Sequence, residues 1–454
     1  MIKLAKKKLT SLFLPERNAK KPLKRSMSGY ETEQFVLKAD GSLDHSDILY
    51  KKAKASGINA ETECAKSMIE LSCFPAKRLR TTSQSMIDNH IELHKVAEKN
   101  NLLLFPFGTY FGTNQPIFRN KIHYNMKKKI LGEKRFKYAG VCTGVHQHYA
   151  LPKGVFDKKT KSIKELKNSK INKTLIDSFN LITAADPVLT TLTQSSPFID
   201  GKRMGKDARV IVYRGGSFLD FKNGLYAQHR LFGALSHYKS TVKDLTSTQK
   251  RRYEKWEQLV KKAGYDAEKY IKKEKMLAYN WTPVKINPHG TLEYRGYDMN
   301  YMSIILGTST LLKFALRTVQ QNFMMVVPLD IDVKEAFKVE NNMIFIPPFS
   351  VVTKLQKKAA YYGLDDDEVY AYVKSFYNFA RKVTNENYLP LLEPIKEIIE
   401  SRKTQSDRII EYFKRKGHKD EIPKSAVKEA AIKFSEEFRK DLIKTKEKID
   451  SIEN

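Results

Sequence analysis

Three short stretches of this 454-residue chain place chemically capable side chains two residues apart. They are Glu31 and Glu33 in G-Y-E-T-E-Q-F-V-L, His146 and His148 in G-V-H-Q-H-Y-A-L-P, and Glu293 and Arg295 in T-L-E-Y-R-G-Y-D-M. A strand turns alternate residues to the same side, so each pair shares one sheet face if these stretches are strands. A carboxylate beside a guanidinium on one face can hold a cation and an anionic phosphate together. Any one pair taken alone reads more simply as a cross-strand ion pair on a solvated face. Two hydrogen-bonded histidines inside a sheet are as ordinary as two ligands. The recurrence of the pattern is what argues for chemistry.

Glu63 and Glu70 form a further acidic pair, in E-C-A-K-S-M-I-E-L-S. Seven residues is the wrong parity for one face of a regular strand, so Glu63 precedes the strand or a bulge intervenes. Glu31, Glu33 and Glu70 stand among apolar neighbours where burial is expected. Ionised carboxylates crowded there repel one another unless a cation joins them. Magnesium suits the set, because it takes oxygen ligands from a few carboxylates and completes its shell with substrate phosphates. Neither Gly201-Lys202 nor Gly205-Lys206 has the upstream glycine of a phosphate-cradling loop, and no G-x-G-x-x-G opens a helix. A nucleotide handled by this chain would have its phosphates held by metal ions and arginines.

The elements that must position these residues follow from the pattern. Gly29 to Leu37 reads as the first strand, Leu102 to Tyr110 as a buried strand, and Tyr138 to Tyr149 as the strand of the histidines. Helices are expected over 44–56, 80–100 and 303–320, over 178–194 with a break at Pro187, and over 241–276 with Trp256 and Leu259 turned inward. Another is capped by Asp365 and runs to about Val383. Tyr213-Arg-Gly-Gly reads as a turn. The tail predicts two amphipathic helices, 391–416 and 424–449. In the second, Val427, Ala431, Phe434, Phe438 and Leu442 form one apolar stripe fit for a core or a homodimer contact.

The apolar share of 41%, with Phe 24 and Tyr 23, describes a folded globular protein with a large core. The cysteines Cys64, Cys73 and Cys142 have no metal or disulfide spacing, which fits a reducing cytoplasm. No uninterrupted apolar run reads as a membrane span, and the start lacks the apolar core of a secretory signal. The net charge of +31 is spread along the chain as lysine. It favours an anionic substrate and leaves a nucleic-acid partner as the minor reading. Residues 1–28 are expected to be a basic mobile arm, 29–385 the catalytic domain, and 386–454 a helical C-terminal extension.

In ordered blocks over 29–320 the sequence resembles the glutamate–cysteine ligases and related carboxylate–amine ligases of the glutamine synthetase-like superfamily. Gly29-Tyr-Glu-Thr-Glu, Glu63 through Glu70, and Gly144-Val-His-Gln-His carry the likeness. So do Ser196-Pro-Phe with Gly201, Gly205 and Arg209, and Thr291-Leu-Glu-Tyr-Arg followed by Asp298. His148 stands where some relatives carry Asn. The resemblance implies an α+β fold: a curved, mainly antiparallel sheet forming a funnel, with helices packed outside. It implies that Glu31, Glu33, Glu63, Glu70, His146 and Glu293 ligate two or three Mg²⁺ ions on the phosphates of ATP. Arg295 would face the transferred phosphoryl group and Arg209 the substrate carboxylate, with Arg135 a second anion contact. The implied reaction joins glutamate to cysteine through an acyl phosphate. The alternatives are another acid–amine pair, or a basic nucleic-acid-binding protein on an inactive ligase fold.

Overall fold

A computed structural model describes residues 26–166 and 169–453. Most of the expected basic arm therefore lies outside the described residues. The main sheet has seven strands: β1 (Ser28–Lys38), β2 (Ala60–Thr62), β3 (Met68–Ser72), β4 (Leu102–Phe105), β5 (Gly144–Ala150), β6 (Val284–Asn287) and β7 (Thr291–Asp298). They run β6-β7-β5-β1-β3-β2, every pair antiparallel, and β4 pairs with the far half of β1. The class is α+β, as the sequence predicts.

Residue alternation divides the sheet into two unlike faces. Helix α1 (Asp47–Ala55) follows β1, and on the back Thr32 and Gln34 hold His90 of helix α2 (Leu79–Glu98) at 3.0 and 2.8 Å. Counting only the longer helices and those that bear on the site, the chain continues with α3 (Ile122–Leu131), α4 (Glu133–Phe136), α5 (Lys170–Thr193) and α6 (Ala208–Arg214). Then come α7 (Val242–Lys262), α8 (Met302–Asn322) and α9 (Phe349–Tyr362). Tyr294 on the back face reaches Asp186 of α5 at 3.0 Å, and Gln147 donates to the Ser309 carbonyl of α8 at 3.0 Å. The large core fills this side, while the front face keeps its charged residues.

Helix α5 runs unbroken through Pro187, where the sequence predicts a break. Its second half is buried on all sides, and the Thr190 and Thr191 hydroxyls donate back to the Asp186 and Pro187 carbonyls at 2.9 and 2.6 Å. Tertiary packing outweighs the missing N–H. Strand β4 stops at Phe105 and not at Tyr110, because Pro106 cannot donate to the ladder. The histidine strand begins only at Gly144, since 137–140 is a 3-10 turn. Tyr213 and Arg214 close α6, and the turn falls on Gly215 and Gly216, both at positive φ. In α7 the inward residues are Trp256 and Val260, with Leu259 half-buried.

Asp366, one residue past the expected cap, closes the front of α10 (Asp367–Val383). The stretch 391–416 is two helices, α11 (Glu393–Ser401) and α12 (Gln405–Arg415), parted at Arg402, whose φ is 53°. Thr404 and Asp407 then form a capping box that restarts the helix. The stripe on α13 (Lys424–Asp450) is wholly buried, with Phe438 edge-on to His90 and His94, so it is core packing within the chain. Helix α8 is long and apolar enough to cross a membrane by length and composition alone, although Lys313 and Arg317 interrupt its apolar run. Its apolar surface is taken up by the core beneath the sheet.

Candidate active site

Strand register assembles the front face. Glu33 lies opposite Glu70, Glu31 opposite His146, and His148 opposite Glu293. Glu63 sits between β2 and β3, before the strand as parity requires. The side chains converge into two groups of three, Glu31–Glu70–His146 and Glu33–Glu63–Glu70, in each of which the ligand atoms lie within 4.8 Å of one another. Glu70 belongs to both.

Burial and crowding set the charges. Burial pushes the Glu33 carboxyl up to about 8, helped by Glu63 and opposed by Arg209 and Arg295. Burial and the charges of Glu63, Glu31 and Glu33 push Glu70 well above the usual carboxylate range. For Glu31 the burial is outweighed by the two imidazoles, which hold it far below that range. His146 Nδ1 lies 3.0 Å from Glu31 and its Nε2 3.7 Å from Glu33. Burial, then Arg295, holds that imidazole down at about 4, so it is neutral and can offer a lone pair. His148 departs the other way, because its bond to Glu31 and the charge of Glu293 outweigh burial. Its Nδ1 lies 2.9 Å from Thr291 Oγ1.

Glu293 stands outside both triads. Its carboxylate receives Arg295 Nη1 at 2.7 Å, Lys285 Nζ at 3.4 Å and the amide of Asn287. It is fully buried, and the two cations more than offset that burial, so its carboxyl is held below the ordinary range. Lys285 and Asn287 are absent from the sequence reading. The signal was there in V-K-I-N, the same i, i+2 spacing on the strand beside β7.

A bulge shapes the arginine end. Arg295 and Gly296 together oppose His146, between the pairs Tyr294–Gln147 and Tyr297–Val145. The carbonyls of Arg295 and Gly296 accept from Arg209, at 3.1 and 3.3 Å. A Cβ on Gly144 would lie 2.3 Å from that guanidinium, so only glycine admits it there. The Gly144 N–H also donates to Glu33 at 2.8 Å. Arg209, Tyr213, Arg214, Trp281 and Arg295 wall a small cavity. Beneath it Arg214 pairs with buried Asp186 through two bonds of 2.6 and 2.8 Å. Asp298, the last residue of β7, is also buried and receives Ser196 Oγ at 2.6 Å and the Ser195 N–H at 3.0 Å. Arg135 lies on α4, where its charge acts on His229. Arg209 and Arg295 bear on Glu33, and Lys285 and Arg295 on Glu293.

At the other end, a larger and mostly apolar cleft opens from Glu31 and His148. It passes Tyr30, Pro75, Leu151 and Phe156, and Lys153 and Lys158 line it as well.

A sheet face that gathers hard oxygen donors and one neutral imidazole beside arginines can hold divalent cations and an anionic group together. The glutamate–cysteine ligase family 2 (GCS2) pattern matches residues 27–429, and the chain belongs to that family. By class it is a carboxylate–amine ligase. No curated protein matches the sequence. Among solved structures it is similar to the bifunctional glutathione synthetase of Pasteurella multocida, with a TM-score of 0.57 and 11% identity over 92% of this chain. That match covers 53% of the synthetase, so this chain spans about half its length. It is also similar to the glutamate–cysteine ligase of Francisella tularensis in complex with AMP, with a TM-score of 0.51 and 16% identity over 95% of this chain and 93% of that one. At these identities the likeness is one of fold.

Proposed function

We propose that the chain is an ATP- and Mg²⁺-dependent ligase that joins the γ-carboxylate of glutamate to the amine of cysteine. The observation that carries this reading is the pair of acidic triads sharing Glu70. Two of their half-buried carboxylates, Glu33 and Glu70, resist ionisation when no cation lies between them. Oxygen donors with one imidazole fit a hard divalent ion, and Glu31, Glu33, Glu63, Glu70 and His146 would hold two, with Glu293 completing a third position. When bound, such ions neutralise the nucleotide's phosphates and polarise the one being transferred.

The chain's own residues then divide the work. The apolar cleft beyond Glu31 and His148 suits a nucleoside, with Lys153 and Lys158 on its wall. Arg295 neutralises the phosphoryl group as it leaves ATP for the acid's carboxylate oxygen, giving ADP and an acyl phosphate. Arg209 orients the acid from the bulge, and Arg135 is a second anion contact farther out. The amine then attacks the acyl carbon. The C–N bond forms, the C–O bond to phosphate breaks, and the amine's proton passes to solvent. Residues 29–385 would carry this chemistry, braced by the helices of 386–454. An ADP-release screen of glutamate and other acids, with and without cysteine, tests it by mass detection of the amide. Glutamate- and cysteine-dependent ADP with γ-glutamylcysteine as product is expected. ADP with a different pair would reassign the substrates, and no ADP with any pair would end the ligase reading.

A further inference from the structure

One cation over the front face has no assigned work. Lys127 projects from α3 and is half-buried, with its ammonium 4.1 Å from the ring centroid of Trp281. That ring walls the small cavity shared by Arg209 and Arg295. Among the described residues no carboxylate pairs with Lys127, while the like charges of Arg295 and Lys285 bear on it. Burial pushes its amine down to about 7, and the opposing pull of Cys64 and Glu63 is met by the like charges of Arg295 and Lys285. A lysine drawn out of water beside other cations is poorly solvated until an anion joins it.

The two arginines beside it already have protein partners and, in the ligase reading, work of their own. Arg295 is bound to Glu293, and Arg209 spends two of its donors on the bulge carbonyls. The nucleotide cleft opens at the opposite end, from Glu31 and His148. With the nucleotide at that end and the triads on the sheet, the small cavity walled by Trp281 is the side left for a nucleophile in the ligase reading.

We propose that Lys127 is a specificity-determining residue whose ammonium takes a carboxylate on the amine-bearing substrate, so that the chain selects an α-amino acid over the matching simple amine. This rests on the ligase reading. A charge-assisted contact of this kind is worth about 10- to 100-fold in kcat/KM.

The test uses the full chain with ATP, Mg²⁺ and glutamate, and two kinds of acceptor. Hydroxylamine, which carries no anion, reports acyl phosphate as hydroxamate. Matched pairs (cysteine with cysteamine, alanine with ethylamine, 2-aminobutyrate with propylamine) report selection. Wild type should favour the amino acid of a used pair by about 10-fold or more. K127M should erase that preference through KM for the amino acid, with hydroxamate formation changed less than about twofold, and K127R should keep most of it. Absence of hydroxamate from wild type defeats the ligase reading itself. Hydroxamate without any preference in wild type, a preference that survives K127M, or an equal loss of hydroxamate in K127M each overturns the proposal.

Discussion

Two carboxylates on the same sheet face, half-buried Glu70 and fully buried Glu293, meet opposite electrostatic surroundings. Glu293 has Lys285 and Arg295 against it and is held ionised in the protein's own structure. Glu70 has three other glutamates around it, and its carboxyl is driven up accordingly. Burial raises both carboxyls and is the greater for Glu293, so the opposite outcome comes from the neighbours. One carboxylate is neutralised by the fold, and the other waits on a cation. The front face is therefore a gradient, from a region that is electrostatically complete to one that is not, and Arg295 lies along it.

Substitution can break that contrast. The largest effect is expected from E70Q and E31Q, each of which removes a triad member and should lower Mg²⁺-dependent ADP release by at least about 100-fold. Mg²⁺ should raise the melting temperature of wild type, because it binds the folded state, and this rise should vanish in E70Q. Without Mg²⁺, E70Q should melt no lower than wild type, since a neutral amide relieves repulsion. Normal turnover in E70Q or E31Q would remove the metal-site reading.

E293Q should lose ADP release to a similar degree yet behave differently in stability. It leaves Lys285 and Arg295 buried without their counter-charge, which costs about 3 kcal/mol by denaturant titration, with or without Mg²⁺. Equal stabilities for E70Q and E293Q would erase the contrast between the two sites. R209A comes next. It should raise KM for the acidic substrate about 10- to 100-fold and KM for ATP far less. The freed carbonyls of the bulge should also cost about 1–3 kcal/mol of stability.

How much of this was readable in the sequence follows from the range of each interaction. The i, i+2 pairs were legible because strand parity is local, and Glu63 was placed before its strand by parity alone. The bulge was not legible: Arg295 and Gly296 look like regular strand, and only the register against β5 shows two residues facing His146. Glu293 was a candidate metal ligand through the resemblance, and its cation Lys285, which arrives from the next strand, was not legible. Pro187 was read as a break because the packing that holds α5 together comes from segments far along the chain. Arg209 was found through the resemblance of the segment from Ser196 to Arg209 to the ligases. Its seat depends on Gly144, sixty-odd residues upstream, lacking a side chain.

The back of the sheet offers the smallest and cleanest contrast with the front, because its buried titratable groups await no cation. His90 is fully buried, and burial pushes its imidazole down to about 3, with His94 contributing. Both ring nitrogens are engaged: the Gln34 amide donates to Nδ1, which leaves Nε2–H to donate to Thr32. In the unfolded chain a histidine titrates near 6.5. Between about 6.5 and 3 the unfolded chain thus binds a proton that the folded chain refuses, and stability rises with pH across that window. Its contribution is complete above 6.5 and is lost as pH falls toward 3, by up to ~1.4 kcal/mol per pH unit for one group. H90Q keeps a hydrogen-bonding side chain that cannot titrate. Denaturant melts between pH 4 and 6.5 should show its unfolding taking up about one proton fewer than wild type. An unchanged slope would mean that His90 is charged in the folded protein, and the back face would then share the electrostatic incompleteness of the front.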